Sequence, residues 1–187
     1  MRDDNQAQLN DDDRYTLRRY EDFRAAAGYV AEAFARVPTV RRVVIFGSVA
    51  SPPRPESGRR RRGHLHEPKD VDLAVWLDDV VDLDSLRKLS AQALNRLWHD
   101  NEAGVAHHQV DIFFLDATGK YLGRLCRFNQ CPKHKPQCRA DGCGKVPFLQ
   151  QHDGFVFDSS ESLHPGRIQI LYDRQVEKSA VLDKIPF

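Results

Sequence analysis

Four apolar runs of strand length constrain the fold of this chain more than any other feature. Three of them are VVIF at residues 43–46, DVDLAVWL at 70–77 and HHQVDIFFLD at 107–116. A fourth, RIQILYDR, covers residues 167–174, and GFVF at 154–157 is a shorter candidate. Runs rich in valine, isoleucine and aromatic residues predict β-strands, so the chain is expected to build a small sheet.

Two segments with apolar residues at helical spacing are expected to pack on that sheet. The first begins at Thr16 and is stopped by Pro38. The second begins near Leu83 and ends at Gly104, and its Trp98 is expected in the core. The order helix, strand, loop, strand, helix, strand, cysteine segment, strand predicts an α+β fold with a small mixed sheet and helices packed on it.

The length of 187 residues suits one domain with a small appendage. Residues 1–13 are expected to be a flexible polar arm, 14–120 the folded core with a basic loop at 49–69, and 121–187 the cysteine segment and the last strands. The net charge of +1 gives no overall field that would mark a nucleic-acid or membrane binder. No apolar run approaches the roughly 20 residues of a membrane helix, and the N-terminus lacks an apolar signal-peptide core. A cytoplasmic protein without a membrane partner is therefore expected.

Two carboxylates lie two residues apart at the start of the second strand. Because side chains alternate along a strand, Asp70 and Asp72 point to the same face, about 7 Å apart. Like charges that close repel each other unless a cation lies between them. Mg²⁺ is favoured, because it prefers oxygen ligands and is usually held by one or two carboxylates plus substrate phosphates. If the third strand is a neighbour, Asp111 joins the group, and three carboxylates can hold two metals about 3.5–4 Å apart.

The first strand ends in Gly47 and Ser48, which suit phosphate binding. Glycine lets the backbone approach a phosphate closely, and the N–H groups and the hydroxyl are donors. Taken alone, a Gly-Ser turn is a weak signal, and an Asp-x-Asp pair is often a solvated strand edge or a helix cap. The combination, in this order and with a further strand aspartate, favours a metal and nucleotide site.

The segments VVIFGSVAS, KDVDLAVWL and QVDIFFLD together resemble the nucleotidyltransferase superfamily, which has the DNA polymerase beta-like fold, and within it the minimal nucleotidyltransferases. The resemblance covers about residues 40 to 116. It implies that Gly47 and Ser48 bind the β- and γ-phosphates of an NTP. It also implies that Asp70 and Asp72 ligate both metals, Mg²⁺ or Mn²⁺, and that Asp111 ligates the catalytic metal and helps to activate the acceptor hydroxyl. The implied reaction moves a nucleoside monophosphate from the NTP to an acceptor and releases pyrophosphate.

The loop at residues 49–69 departs from the family pattern, in which the corresponding connection is shorter. It contains four consecutive arginines, Arg59–Arg62, and ends at Lys69, next to the predicted triphosphate site. One interpretation is that the loop closes over phosphates, with Lys69 among the nucleotide-binding residues, or recruits an anionic acceptor such as RNA. The other is a solvated loop with no further role.

All four cysteines cluster in one segment with x4, x6 and x4 spacings: Cys126, Cys131, Cys138 and Cys143. In a reducing compartment this clustering predicts a structural zinc site with four cysteine ligands, a compact knuckle-like insertion, rather than disulfides. His134 or His152 could replace a cysteine, although four thiolates already complete a tetrahedron. Basic residues between Arg124 and Lys145 suit either contact with RNA or an ordinary surface, and the resemblance does not extend to this segment.

A second class of function stays open beside the enzyme. The same fold can serve as a non-catalytic module that binds nucleic acid or protein, or as an antitoxin-like partner, the latter by analogy with the family. Three carboxylates at one strand edge favour catalysis, because a binding module has no need of them. The sequence does not identify the NTP, the acceptor or the oligomeric state.

Overall fold

The computed structural model describes residues 10–53, 60–61, 64–80, 82–126, 146–151 and 157–176. The helices and strands in this part of the chain follow one another in the order α1 Asp11–Ala35, β1 Val40–Phe46, β2 Arg60–Arg61, β3 His64–Leu65, β4 Val71–Leu77, α2 Leu83–Asn101, β5 Val110–Leu115, β6 Tyr121–Leu125, β7 Leu149–Gln150, α3 Ser159–Ser162 and β8 Gln169–Asp173. The fold is α+β, as the sequence predicts.

Six strands form one mixed sheet in the order β7-β6-β5-β4-β1-β8. Only the central pair β4 and β5 is parallel, and all other neighbours in this sheet are antiparallel. Parallel neighbours need a long crossover connection, and α2 supplies it. The β4-α2-β5 unit therefore brings the starts of β4 and β5 to the same edge of the sheet.

One face of the sheet carries the main core. Odd-numbered residues of β1 and β4 and even-numbered residues of β5 pack there against α1 and α2, and Phe23, Phe34, Leu73, Leu97 and Phe114 are fully buried. The aromatic and leucine side chains of the two helices recur at the 3.6-residue period, which gives each helix one apolar stripe for this contact.

The opposite face of the sheet is covered only in part. Val44, Phe46, Ala74, Phe113 and Leu115 form a smaller apolar cluster on this side, with residues of the 157–168 segment packed against it. We call this side the open face. Asp72 and Asp111 lie two residues before Ala74 and Phe113 on their strands. Their side chains therefore point to the open face as well.

Helix α1 begins earlier than the sequence predicts. Asp11–Asp13 form its first turn instead of ending a flexible arm, and the side chain of Asn10 caps the helix by accepting a 2.7 Å hydrogen bond from the N–H of Asp13. Acidic residues are favourable in a first turn because they face the positive end of the helix dipole.

The basic loop contains a small hairpin in its described part. Strands β2 and β3 pair antiparallel, and the hairpin is tied to α1 at two points. The N–H of Leu65 donates to Asp13 Oδ1 at 2.9 Å, and Tyr20 donates its hydroxyl to the carbonyl of His66 at 3.0 Å. The loop is therefore anchored on the first helix where the structure describes it.

Replacement of Asp13 is expected to loosen this anchor. Asp13 is only 2% exposed, so Asp13→Ala removes the acceptor of a buried N–H and should lower the free energy of unfolding by about 1–3 kcal/mol. Urea unfolding measures the change. Asp12→Ala is the matched control, because Asp12 is exposed and contacts the exposed His64 at 3.3 Å; equal losses in both variants would contradict the anchoring role.

Strands β6 and β7 are not among the strands that the sequence predicts. Both follow residue 120, and both extend the same sheet as β1, β4 and β5, as does β8. The short β6 contains Gly123 and Arg124 instead of an unbroken apolar run, so its composition does not predict a strand. Of the predicted strand at 154–157 the structure describes only Phe157, which is not in a strand.

Two details of α2 differ from expectation. The helix ends at Asn101, where Glu102 takes a left-handed conformation and its N–H bonds to the carbonyl of Trp98. Trp98 is 55% exposed and is therefore not a core residue. Neither α2 nor any other helix in the described ranges is long and apolar enough to cross a membrane.

Candidate functional site

Asp72 and Asp111 lie directly opposite each other on the two parallel strands. The register pairs Asp72 of β4 with Asp111 of β5, at the start of both strands. Because neighbouring strands are about 4.8 Å apart and paired residues point to the same face, both carboxylates project from the open face at one edge. The condition under which Asp111 joins the group, that the third predicted strand is a neighbour of the second, is met.

Asp111 is the more buried of the two, with 7% of its surface exposed. Arg124 of β6 lies beside it, with Nη1 at 3.5 and 3.4 Å from Oδ1 and Oδ2. Nη2 of the same guanidinium lies 3.3 Å from Gln150 Oε1 on β7. Arg124 thus faces the carboxylate edge, and is not part of a separate basic surface of the cysteine segment.

Asp70 and Lys69 immediately precede β4. Asp70 is half-buried and Lys69 is exposed. The carbonyl of Lys69 lies 3.5 Å from the side-chain amide of Gln109, in the short 3-10 turn His107–Gln109 that leads into β5. The segments that enter β4 and β5 are therefore neighbours, which places Asp70 at the same edge of the sheet as Asp72 and Asp111.

Gly47 lies directly against the carboxylate of Asp72. Phe46, the last residue of β1, is paired with Asp72, and Gly47 then turns with a φ of +73°. A Cβ at this position would lie 2.6 Å from Asp72 Oδ2, closer than carbon and oxygen can approach. Only glycine combines this backbone conformation with this contact.

Ser48 is exposed in the turn that follows β1. An open cleft of about 600 Å³ begins at this turn and is lined by Phe46, Gly47, Ser51, Glu161, Ser162 and Arg167. Its wall carries one cation, Arg167, one carboxylate, Glu161, and the hydroxyls of Ser51 and Ser162, and through Gly47 it adjoins the Asp72 side of the carboxylate edge. Its size can accommodate a nucleotide phosphate chain, which Arg167 would attract and Glu161 would repel.

Aromatic rings cover the open face next to the carboxylates. Phe113 and Tyr121 both stack on Phe157, with ring centroids 5.5 and 5.2 Å apart, and Phe46 meets Phe113 edge to face at 5.3 Å. Burial raises the pKa of the Tyr121 hydroxyl above its ordinary value, an effect that the nearby Asp111 increases and Arg124 opposes. Tyr121 therefore keeps its proton near neutral pH.

The donor set at the edge suits a hard divalent cation in part. Two carboxylates in register provide the oxygen ligands that Mg²⁺ takes when substrate phosphates complete its shell. Within the ranges that the structure describes, however, no three or more His, Cys, Asp and Glu side chains are grouped so that they could hold a metal. The residues fit a cation shared with a substrate, and the three-carboxylate, two-metal group remains a prediction.

Three of the four predicted zinc ligands lie outside the described residues: Cys131, Cys138 and Cys143. Cys126 is described and is 3% exposed. It directly follows β6, and its N–H donates to the carbonyl of Phe148 just before β7 at 2.8 Å. The cysteine segment therefore leaves and rejoins the sheet at one place, between two paired strands.

Sequence reasoning missed Arg124, Gln150 and Arg167 as site residues. Arg124 and Gln150 face each other across β6 and β7, and neither strand was predicted. The register between β5 and β6 shifts between Gly123 and Tyr121, so side-chain alternation in YLGRL, residues 121–125, does not report the face on which Arg124 lies. Arg167 reaches the site through a 3-10 turn at Pro165–Arg167, which has no distinctive pattern.

Comparison with known proteins adds no assignment, since neither the family models nor the curated proteins contain a match to this chain.

Proposed function

We propose that this protein is a metal-dependent nucleotidyltransferase, which moves a nucleoside monophosphate from an NTP to a hydroxyl of an RNA or protein acceptor. The observation that carries the proposal is the pairing of Asp72 with Asp111 on parallel strands, with Gly47 against the Asp72 carboxylate. Polar residues and an adjoining cleft would otherwise be ordinary surface features. The carboxylate pair and the turn at Gly47, which has no side chain, together form a site that could bind both a cation and phosphates.

Each group has a defined task in this proposal. Asp72 and Asp111, with Asp70 at the same edge, would hold Mg²⁺ or Mn²⁺, which supplies charge neutralisation of the phosphates when it is bound. The turn at Gly47 and Ser48 would bind the β- and γ-phosphates in the adjoining cleft, which Arg167 lines. Lys69, next to Asp70, would add a further positive charge for the nucleotide. Asp111 would accept the proton of the attacking hydroxyl.

The bonds in the proposed reaction balance without a further reactant. The acceptor oxygen forms a bond to the α-phosphorus, and the bond from the α-phosphorus to its bridging oxygen breaks. Pyrophosphate leaves with that electron pair, and the proton of the acceptor hydroxyl passes to Asp111. Positioning and charge stabilisation supply most of the rate enhancement in transfers of this kind.

The direct test is labelling with each α-³²P NTP in Mg²⁺ or Mn²⁺. Candidate acceptors are the protein itself, a cell lysate and bulk tRNA. We expect covalent transfer of label from at least one NTP, with release of pyrophosphate. An unlabelled result with all four nucleotides and every acceptor would remove the enzyme proposal.

A non-catalytic binding module is the second candidate. The ion pair between Arg124 and Asp111 favours it, because a carboxylate with its own counter-ion is stable without a metal. The two candidates differ in the labelling experiment, since a module of this kind binds nucleic acid or protein without transferring label.

We further propose that the cysteine segment holds one structural zinc ion in a protein of the reducing cytoplasm. The segment begins after β6 and ends before β7, and these two strands are paired, so the two ends of the segment lie close together. Neighbouring ends support a compact metal site. Metal analysis of the purified protein is expected to find about one equivalent of zinc, because four thiolates complete one tetrahedral site. Cys131→Ser should lower the zinc content and the melting temperature, whereas His134→Gln should change neither; zinc-free wild-type protein would contradict the site.

A further inference from the structure

Arg124 makes unusually long contacts for an arginine beside a carboxylate. Its distances to Asp111 are 3.4 and 3.5 Å, and its distance to Gln150 is 3.3 Å. Hydrogen bonds between a guanidinium and a carboxylate usually measure about 2.7–2.9 Å. The guanidinium is therefore within ion-pair distance of Asp111, but its hydrogen bonds to Asp111 and Gln150 are both long.

The Nε atom of the same side chain is buried, and nothing in the described part of the chain accepts a hydrogen bond from it. Arginine carries five N–H donors in a fixed plane, with no acceptor. A buried donor without a partner is unfavourable, and native proteins keep few of them without a reason. Because the Arg124 side chain is 27% exposed overall, an anionic ligand that enters the site can reach the guanidinium and give it a close acceptor.

The sheet order places Arg124 on the far side of the carboxylates from the Gly47 turn. Strands follow one another as β1, β4, β5 and β6, so Asp72 and Asp111 lie between Gly47 and Arg124. With strands about 4.8 Å apart, the span from β1 to β6 is about 14 Å. A triphosphate whose β- and γ-groups lie at Gly47 would therefore bring its α-phosphoryl group to the carboxylates, on the side that faces Arg124.

We propose that Arg124 is a further catalytic residue, which donates to a non-bridging oxygen of the α-phosphoryl group as that group is transferred. The proposal rests on the proposed nucleotidyl transfer. Arg124 neither gains nor loses a proton in the step; it stabilises negative charge on the equatorial oxygens while the acceptor bond forms and the bond to pyrophosphate breaks. Its planar fork suits phosphate better than a lysine ammonium does.

The test compares Arg124→Met and Arg124→Lys with wild type, using the NTP that labels best and a cell lysate as the acceptor. Arg124→Met should lower the labelling rate at saturating NTP by about 100-fold, the typical loss for one preorganised donor. Nucleotide affinity, measured by equilibrium binding in Mg²⁺, should change little. Arg124→Lys should recover only part of the rate, because it restores the charge without the fork.

A sulphur substitution separates contact with the phosphoryl group from a merely structural role. The two α-phosphorothioate diastereomers of the same NTP replace one non-bridging oxygen each. In wild type, the diastereomer with sulphur at the oxygen that Arg124 contacts should react more slowly than the normal NTP. In Arg124→Met, the ratio of the rate with the normal NTP to the rate with this diastereomer should be smaller. A variant that only displaced Asp111 would lower all rates together and leave both ratios unchanged.

Arg42→Met is the matched control on the same open face. Arg42 lies near the other end of β1, where its Nε donates to Asp173 Oδ2 at 2.7 Å. The Arg42→Met change should leave the labelling rate and the sulphur ratios unchanged. Wild-type rates and ratios in Arg124→Met would overturn the role of Arg124 and leave the proposed function intact. Absence of labelling in wild type would overturn both. Thermal unfolding confirms that each variant is folded.

Discussion

Asp72→Asn is expected to lower the rate of nucleotidyl labelling by about 100- to 1,000-fold, the usual loss when one preorganised charge-stabilising group is removed. The amide keeps the shape of the side chain and removes its charge, so the change tests metal and phosphate chemistry rather than packing. Asp111→Asn should cause a loss of the same order, since the two carboxylates face each other across β4 and β5. The rate of ³²P transfer at saturating NTP measures both.

Asp78→Asn is the control for this pair. Asp78 follows the other end of β4, is exposed and contacts Arg41 at 3.3 Å. It should retain the labelling rate of wild type. If Asp72→Asn and Asp111→Asn also retained it, the carboxylate edge would not be the catalytic site, whatever activity the protein had.

Gly47→Ala is expected to reduce both nucleotide affinity and stability. A methyl group at this position meets Asp72 Oδ2 at 2.6 Å, and the φ of +73° is unfavourable for any side chain. The left-handed conformation costs about 1–2 kcal/mol for an L-residue, and the displaced Asp72 carboxylate should weaken binding of the NTP with its metal ion. Urea unfolding and equilibrium NTP binding measure the two effects separately.

Gly28→Ala is the matched control for the glycine change. Gly28 lies inside α1, where an added Cβ has no atom within 4 Å. Alanine there should stabilise the protein by up to about 1 kcal/mol, because glycine is the poorer helix former, and should leave NTP binding unchanged. A stable Gly47→Ala variant with wild-type affinity would show that close packing at this turn has no role in the site.

Local patterns predicted the central elements well. The apolar runs of β1, β4 and β5 and the periodic residues of α1 and α2 each appear in the structure, because burial on one face imposes a period that is visible in the chain. The start of α1 differs from the prediction: Asp13 is expected in an arm, but it lies in the first turn of α1, where its carboxylate accepts a hydrogen bond from the N–H of Leu65. That contact joins residues far apart in sequence, so no local pattern reports it.

The order of residues by itself determined the strand-borne carboxylates, the Gly-Ser turn and their spacing, since side-chain alternation and glycine's freedom are properties of short segments. Only the tertiary structure decided that β4 and β5 are parallel neighbours, which brings Asp72 opposite Asp111. It also decided that β6 and β7 join the sheet beside them and carry Arg124 to Asp111. Strand pairing depends on which faces can be buried together across the whole chain, and that choice is made by packing rather than by any one segment.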